Sequence, residues 1–583
     1  MILSSTPGRD ISPAFVEGCL TVIVIALAFA FPRMGFSWFS RIEQAFGKLA
    51  RKRAWSVVAV GAGCFLLRLA ILPFCPIPLP FVPDDFSFLL SADTFAHGRL
   101  TNPTPAMWTH FESIHITMNP TYMSMYFPST GLVMAAGKVL FGHPWFGLLC
   151  TTALLCAAIC WMLQAWLPPG WALLGGVLAI LRIGLFSYWI NTYNGGGSVA
   201  ALGGALALGA FPRLMKTVRL RDALLLAVGI GILLLSRPYE GLLLCLPVAF
   251  VLGRWLLHGK NRPAPAILLR RAALPLALIV AVGAWLAYYD YRAFGSPTTL
   301  PYTVNRATYA VSPYFIWQPP RPTPVYRHQA IQTFYTFNEM ENFALIHTFT
   351  GFLRVTFSKA LITLIFFAGF VLIPPLIMLR RVLMDRRIRF LVLCVVVMSA
   401  GMLIQIFLIP HYVAPFTAAF YAIGLQAMRH LRLLAPGGKP VGLTLVRLTV
   451  LLCVVLAGLR LAAQPLHLEF EKWPPMNWVI WWYGPGHFGT ERANLETQLQ
   501  QLPGKQLVIV HYATEHNVLD EWVYNAANIE DSKVIWAREM DSSENADLIR
   551  YYKDRHVWLA QPDAQPATIS PYPMPAQLAS AQR

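Results

Sequence analysis

Charge is what this chain has least of. Only 13% of its 583 residues are Asp, Glu, Lys or Arg, while 56% are hydrophobic and the mean hydropathy is +0.52. Soluble domains carry about a quarter of their residues as charges, so a soluble core enlarged by length is excluded. Acidic residues are scarcer still, 28 against 46 basic, for a formal charge of +18. In a soluble protein that excess would point to nucleic acid. Here the basic residues sit mainly in short loops between apolar runs, where they set membrane orientation, and a nucleic-acid partner is not expected. The nine cysteines lie in or beside apolar runs, at spacings that suit neither a zinc site nor a disulfide framework. The opening "MILSSTPGRDISPAF" lacks the basic segment of a signal peptide, so the first apolar run reads as a retained span with its N-terminal side outside.

What is present is a succession of apolar runs long enough to cross a bilayer. Twelve spans are expected, at 16–32, 55–75, 145–165, 171–189, 196–212, 222–236, 239–257, 272–289, 356–379, 390–408, 412–428 and 443–463. Alternate loops are basic: Arg33 to Arg53, Arg213 to Arg221, Arg254 to Arg271, "RRVLMDRRIR", and Arg429 to Arg447; only "LPPG" is neutral. That alternation leaves four segments on the outer face: 76–144, the "NTYNGGG" and "SRPYEG" turns, a long loop at 290–355, and 464–583. "STGLVMAAGKVLFG" is too short to span and is expected to be a re-entrant or juxtamembrane helix. The expected fold is mainly α, a polytopic transmembrane helical bundle over residues 1–463 followed by an extracytoplasmic α/β domain over 464–583. In the latter, "EKWPPMNWVIWWYGPG" reads as an aromatic interfacial belt. "QLVIVHY", "KVIWARE" and "HVWLAQP" read as strands, Asp541 as a helix cap, and the tail from Gln561 as loosely ordered.

The chemistry is expected on the outer face, because irregular polar segments beside a membrane need a reason to exist. "PDDFSFLLSADTFAHG" reads as an amphipathic helix on the membrane surface, with Phe86, Leu89, Leu90 and Ala96 on one face and Gly98 at its stop. Asp84 can cap it, and both Asp84 and Asp85 favour the positive end of its dipole. Either carboxylate can also act as a general base at the membrane boundary, taking the proton from an acceptor hydroxyl. A lipid phosphate is already a stable leaving group, so a nearby cation rather than a general acid is required. Arg237 (near Glu240), His411 and Lys359 stand at outer ends of spans and are the candidates, although Arg237 and Lys359 also have a plain reading as snorkelling side chains. In "NTYNGGG", Asn191 and Asn194 suit sugar hydroxyls. "HFESIH" places Glu112 where it can orient an acceptor, while His110, Glu112 and His115 do not share a side and no metal set is assigned. Arg306 and Arg327 lie in an aromatic-rich loop suited to cover a sugar.

An acidic pair in the first outer loop, the Pro-containing segment "MYFPSTGLVMAAGKVLFGHPWFG" before the next spans, and an outward C-terminal domain together resemble the GT-C glycosyltransferases. Within that superfamily the chain is similar to the bacterial protein-mannosyltransferase-like and aminoarabinose-transferase-like members. The resemblance covers residues 76–430 in organisation and the first outer loop in motif. It implies an inverting transfer from a polyprenyl-phosphate sugar to the hydroxyl of a lipid, glycan or protein acceptor, on the outer face of a bacterial inner membrane. It implies Asp84 as base or acceptor-positioning residue, with Asp85 in the partner position, where many members have Glu. An Arg-Tyr pair leads to a Pro in the family; here "HYVAP" offers His411 and Tyr412, and a neutral His is a weaker partner for phosphate than Arg. No cofactor is assigned, with a weakly held divalent cation left open. Arg68 and Arg182, inside spans, suit a rival reading as a transporter or flippase, which would need paired broken helices and internal repeats. A third reading is a non-catalytic assembly protein, for which the outer carboxylates would be dispensable.

Overall fold

Apolar runs of about twenty residues have one solution in lipid, a helix that closes its own backbone hydrogen bonds. The computed structural model, which describes residues 13–258, 264–463 and 488–573, is a mainly helical, multi-pass membrane bundle that carries a small sheet near its C-terminal end. Among the described residues, eight helices are long and apolar enough to cross a membrane: Pro13–Ala30, Arg53–Ala70, Trp145–Trp166, Gly197–Thr217, Pro238–His258, Pro265–Phe294, Phe349–Phe367 and Val441–Ala463. A ninth follows if Pro374–Met384 and Arg389–Ile404, bent by 108°, are one span. The remaining expected spans are shorter or interrupted. Leu220–Ser236 has 17 residues, and Thr417–Leu431 is preceded by a 3-10 turn at Pro410–Phe416. The stretch 171–189 departs furthest: Pro169–Ala179 gives way to a π-turn at Ile180–Gly184, where Arg182 meets Glu17 at 3.6 Å inside the bundle. A buried ion pair held at a helix break is what an uninterrupted apolar span would forbid.

Small residues set the close approaches that aim the outer turns. A Cβ on Gly204 would lie 1.8 Å from the carbonyl oxygen of Pro415, so the 3-10 turn bearing His411 can seat only against glycine. The first basic loop is a helix, Phe36–Arg51. It exposes Phe36 and Trp38 beside its basic residues, as an interfacial helix does.

The helix Pro83–Ala96 does not lie on a membrane surface with one face bare. Ten of its fourteen residues are buried, so both faces are covered. Phe86 stacks on Tyr524 of the C-terminal domain (4.7 Å between ring centres) and lies beneath the Arg492 guanidinium, while Phe88 stacks on Tyr126 (4.3 Å). The outer helix Pro128–Phe141 packs alongside, with Lys138 paired to Asp93 and Gly131 abutting Ser91.

Strands Lys505–Val510, Val534–Arg538 and Arg555–Gln561 run parallel with Lys505–Val510 in the middle. Thr568–Pro571 adds antiparallel to the edge. That fourth strand falls in the tail expected to be loose; it adds to the sheet by pairing Trp558 with Pro571 through Gln561 with Thr568. Asp541 caps Ser542–Tyr551, accepting from the backbone N–H of Ser543 and Glu544. The aromatic belt expected at 471–486, the chain before Pro13 and the end of the tail lie outside the described residues.

Candidate active site

The helix start at Pro83 separates the two adjacent carboxylates. Asp85 points inward and is fully buried. Its Oδ2 accepts from the backbone N–H of Phe81 (3.3 Å) and Val82 (3.5 Å), and its Oδ1 from that of Tyr193 (3.0 Å). Asp85, not Asp84, therefore makes the capping contact, and it also fixes the "NTYNGGG" turn to the helix. Burial, aided by the Asp84 charge, pushes its carboxyl up to about 7 against those backbone donors.

Asp84 is turned the other way and keeps 22% of its side chain exposed. The Tyr126 hydroxyl donates to its Oδ1, and His115 Nδ1 lies 3.4 Å from its Oδ2. Tyr126 and His115 also meet each other at 3.1 Å. Burial alone would raise the Asp84 carboxyl, but His115 and Tyr126 together hold it down to about 2. Burial and the Asp84 charge raise Tyr126 well above the ordinary phenol range, so its hydroxyl keeps its proton and donates. His115 has φ of +64°, a left-handed conformation uncommon outside glycine. It is held there by two hydrogen bonds to its carbonyl, from Ser87 Oγ (2.7 Å) and Met125 N (3.1 Å).

Tyr126 lines a cavity of about 260 Å³ whose wall includes Gly195, Arg237, Glu240, Tyr302 and Tyr412. Arg237 donates to the carbonyl of Gly195 (3.0 Å) and lies 4.7 Å over the Tyr412 ring. Gly195 and Gly196 have φ of +79° and +61°; added Cβ atoms would lie 2.2 Å from His411 Nδ1 and from Thr130 Oγ1 respectively. This turn thus comes as close to the site as backbone can. His411 is buried behind it with Nδ1 engaged by the Tyr188 hydroxyl at 2.8 Å. A second, larger cavity of about 500 Å³ runs into the bundle, lined almost wholly by Leu, Val, Ala, Phe and Met. Lys359 is on its wall and donates to the carbonyls of Met402 (3.0 Å) and Gln405; Gln405 in turn lines the Tyr126 cavity.

The expected site residues thus divide. Arg237, Glu240 and Tyr412 line one cavity, which Asp84 meets through Tyr126, His411 through Gly195 and Lys359 through Gln405. Asn194 is in the same turn, its buried Oδ1 without a hydrogen-bond partner among the described residues, whereas Asn191 is a structural pin that accepts from Arg68 at 2.9 Å. Arg306 is directed elsewhere: it pairs with Glu339 (2.6 Å), donates to the Ser312 carbonyl and reaches the cavity wall only through the ring of Tyr314 (4.8 Å). "HFESIH" splits three ways. His110 meets the Arg538 carbonyl, Glu112 lines a separate cavity, and His115 turns to Asp84. Among the described residues no three His, Cys, Asp or Glu side chains gather where they could hold a metal ion.

The sequence reading missed Tyr126 and the His115–Asp84 pairing. The signal was a hairpin, "HITMNPTYMSMY", whose Asn-Pro turn pairs Ile116 with Ser124 and Thr117 with Met123 and so brings His115 beside Tyr126.

No family model matches the chain, and no curated protein matches it. Solved structures do. ArnT from Cupriavidus metallidurans bound to undecaprenyl phosphate is 12% identical, with a TM-score of 0.45 over 87% of this chain and 92% of that one. The Archaeoglobus fulgidus oligosaccharyltransferase tethered to an acceptor peptide is also 12% identical, with a TM-score of 0.43 over 79% of this chain. This chain spans 62% of that protein's length. At these identities and scores the likeness assigns nothing to individual residues.

Proposed function

We propose that the chain is a GT-C-type glycosyltransferase that moves a sugar from a polyprenyl-phosphate donor to an acceptor hydroxyl on the outer face of a bacterial inner membrane. The observation that carries this reading is the placement of Asp84. An ionised, partly exposed carboxylate is bonded to a wall residue of a cavity that also holds Arg237, and an apolar cavity in the bundle is tied to that cavity's wall by the hydrogen bond from Lys359 to the Gln405 carbonyl. In this reading the prenyl chain lies in the apolar cavity and the phosphate near Arg237, with the sugar against Tyr126, Tyr302 and Tyr412.

The acceptor oxygen attacks the anomeric carbon as the carbon–oxygen bond to phosphate breaks, inverting that centre. The acceptor proton passes to Asp84, and Arg237 stabilises the charge gathering on the departing lipid phosphate. A carboxylate near 2 is a weak base, so proton transfer comes late, once the attacking oxygen has become acidic. Asp85 acts in this scheme by holding the helix start and the glycine turn in register.

One observation favours a transporter instead: the 108° break between Pro374–Met384 and Arg389–Ile404, since broken helices frame substrate paths. Two assays separate these readings. Purified protein in nanodiscs is given a panel of polyprenyl-phosphate sugars with candidate acceptors, and free polyprenyl phosphate is measured. Release that Asp84→Asn abolishes is the expected result. No release with any donor, together with sugar-lipid movement across the bilayer when the same protein is sealed in proteoliposomes, would overturn the glycosyltransferase reading.

A further inference from the structure

A third cavity, of about 280 Å³, opens on the outer side between the first outer loop and the loop after Pro301–Tyr309. Its wall includes Trp108, Glu112, Asn119, Thr308, Tyr326 and Arg327, none of which lines the Tyr126 cavity. Its size is near the lower end of the ~300–1,000 Å³ usual for small-molecule sites.

Glu112 is the unusual member. Its side chain is only 4% exposed. Oε1 accepts from the Tyr309 hydroxyl at 2.9 Å and has Arg327 at 3.5 Å. Oε2 receives no hydrogen bond among the described residues: its neighbour, His328 Nε2, stands 3.5 Å away and is engaged by the Thr109 carbonyl at 2.7 Å. A carboxylate oxygen on the cavity wall with no close donor is free to accept a hydrogen bond from a hydroxyl that enters the cavity. The Tyr309 ring is fixed by its stack on Tyr335, and Tyr326 by its bond to the Tyr309 carbonyl, so the aromatic wall is rigid.

The charges narrow the ligand. Arg327, half exposed and 4.9 Å over the Trp108 ring, opposes a cation; Glu112 opposes an anion. A neutral molecule that both donates and accepts hydrogen bonds and carries an apolar face meets every group on the wall: hydroxyls for Glu112, Asn119 and Arg327, and ring C–H faces for Trp108 and Tyr326. We propose that this cavity is a saccharide-binding subsite, separate from the Asp84 site, that takes one neutral pyranose unit. It shares with the proposed transfer reaction only the class of ligand, and it is tested by binding rather than turnover.

The test is saturation-transfer NMR on the full chain in nanodiscs with the methyl glycosides of glucose, mannose, galactose and N-acetylglucosamine. Transfer to at least one of the four is expected. It should weaken roughly tenfold in Trp108→Ala and in Arg327→Ala, about the worth of one aromatic face or one charge-assisted hydrogen bond, and persist in Asp84→Asn. Arg327 is half exposed, so its variant decides the matter should Trp108→Ala unfold. Transfer to none of the four, transfer that survives Arg327→Ala, or transfer lost with Asp84→Asn would each overturn the proposal. If polyprenyl-phosphate release fails while glycoside binding behaves as expected, the transfer reading falls and this one stands.

Discussion

Two cavities each set a carboxylate beside a tyrosine and a histidine and differ in electrostatic outcome. At one, Asp84 is met by a tyrosine hydroxyl (Tyr126) and a histidine (His115); at the other, Glu112 is met by a tyrosine hydroxyl (Tyr309) and a histidine (His328). Asp84 is held down to about 2, whereas burial leaves Glu112 above its ordinary value. The histidines explain the difference. His115 is turned by its left-handed backbone so that Nδ1 faces both Asp84 and Tyr126, while His328 Nε2 is engaged by Thr109. Burial and nearby Arg538 press the His328 imidazole down to about 3, so it stays neutral beside Glu112. A buried carboxylate is poised by where its partners' protons are directed, more than by which partners it has.

That contrast can be broken, and the largest break is expected at Asp84. Asp84→Asn should lower turnover by about 10²–10⁴-fold, the range for a lost general base, and lower the unfolding midpoint as well, because the stability carried by the depressed carboxylate goes with its charge. Arg237→Ala should follow with a loss of roughly 10²–10³-fold, through the leaving phosphate, and Arg237→Lys should recover part of it. Unchanged release in either variant would remove its role.

Asp85→Asn should act through stability instead. Its carboxylate oxygens accept three backbone N–H groups, and an amide can satisfy fewer of them; a loss of about 1–3 kcal/mol and a lower unfolding midpoint are expected. A midpoint equal to wild type would mean the cap is dispensable.

The smallest effects are in pH dependence. The depressed Asp84 stabilises the fold above the ordinary carboxylate value of about 3.9, and that contribution is lost as pH falls through about 2. His115→Ala should therefore move an acid limb of activity upward toward ordinary carboxylate values. Glu112 has the opposite sign. Its raised value means stability present below its unfolded value of about 4.3 and lost as pH rises through the folded one. Glu112→Gln should flatten the dependence of unfolding midpoint on pH just above that value, and a persisting slope would assign it to another group.

Much of this was legible in the sequence because it rests on local rules. The apolar runs marked helices, Asp541 marked a cap, and "QLVIVHY" and "HVWLAQP" marked strands. The acidic pair was also visible, but not which member turned to Tyr126 and His115. That choice depends on Tyr193 N–H, more than a hundred residues away, claiming Asp85. The break at Ile180–Gly184 escaped for a similar reason: the compensating carboxylate, Glu17, comes from a distant helix. Arg306 looked like a ligand-binding fork until Glu339, on a later turn of the same outer loop, occupied it.

The clasp between the helix Pro83–Ala96 and the C-terminal domain has a consequence for how the protein is made. Asp93 accepts from the backbone N–H of Ala527, 434 positions later, and Glu521 N–H donates to the Phe81 carbonyl at the head of the same helix. At ~5–20 residues per second, the ribosome needs roughly 20–90 s to travel from one partner to the other. The helix bearing Asp84 is made early and acquires its second wall only when the strands and helices of residues 488–573 have been made and docked on it. Completion of the site therefore waits on synthesis through Ala527, and a polypeptide interrupted before it leaves the helix that bears Asp84 without the surface that clasps Phe81, Phe86 and Asp93.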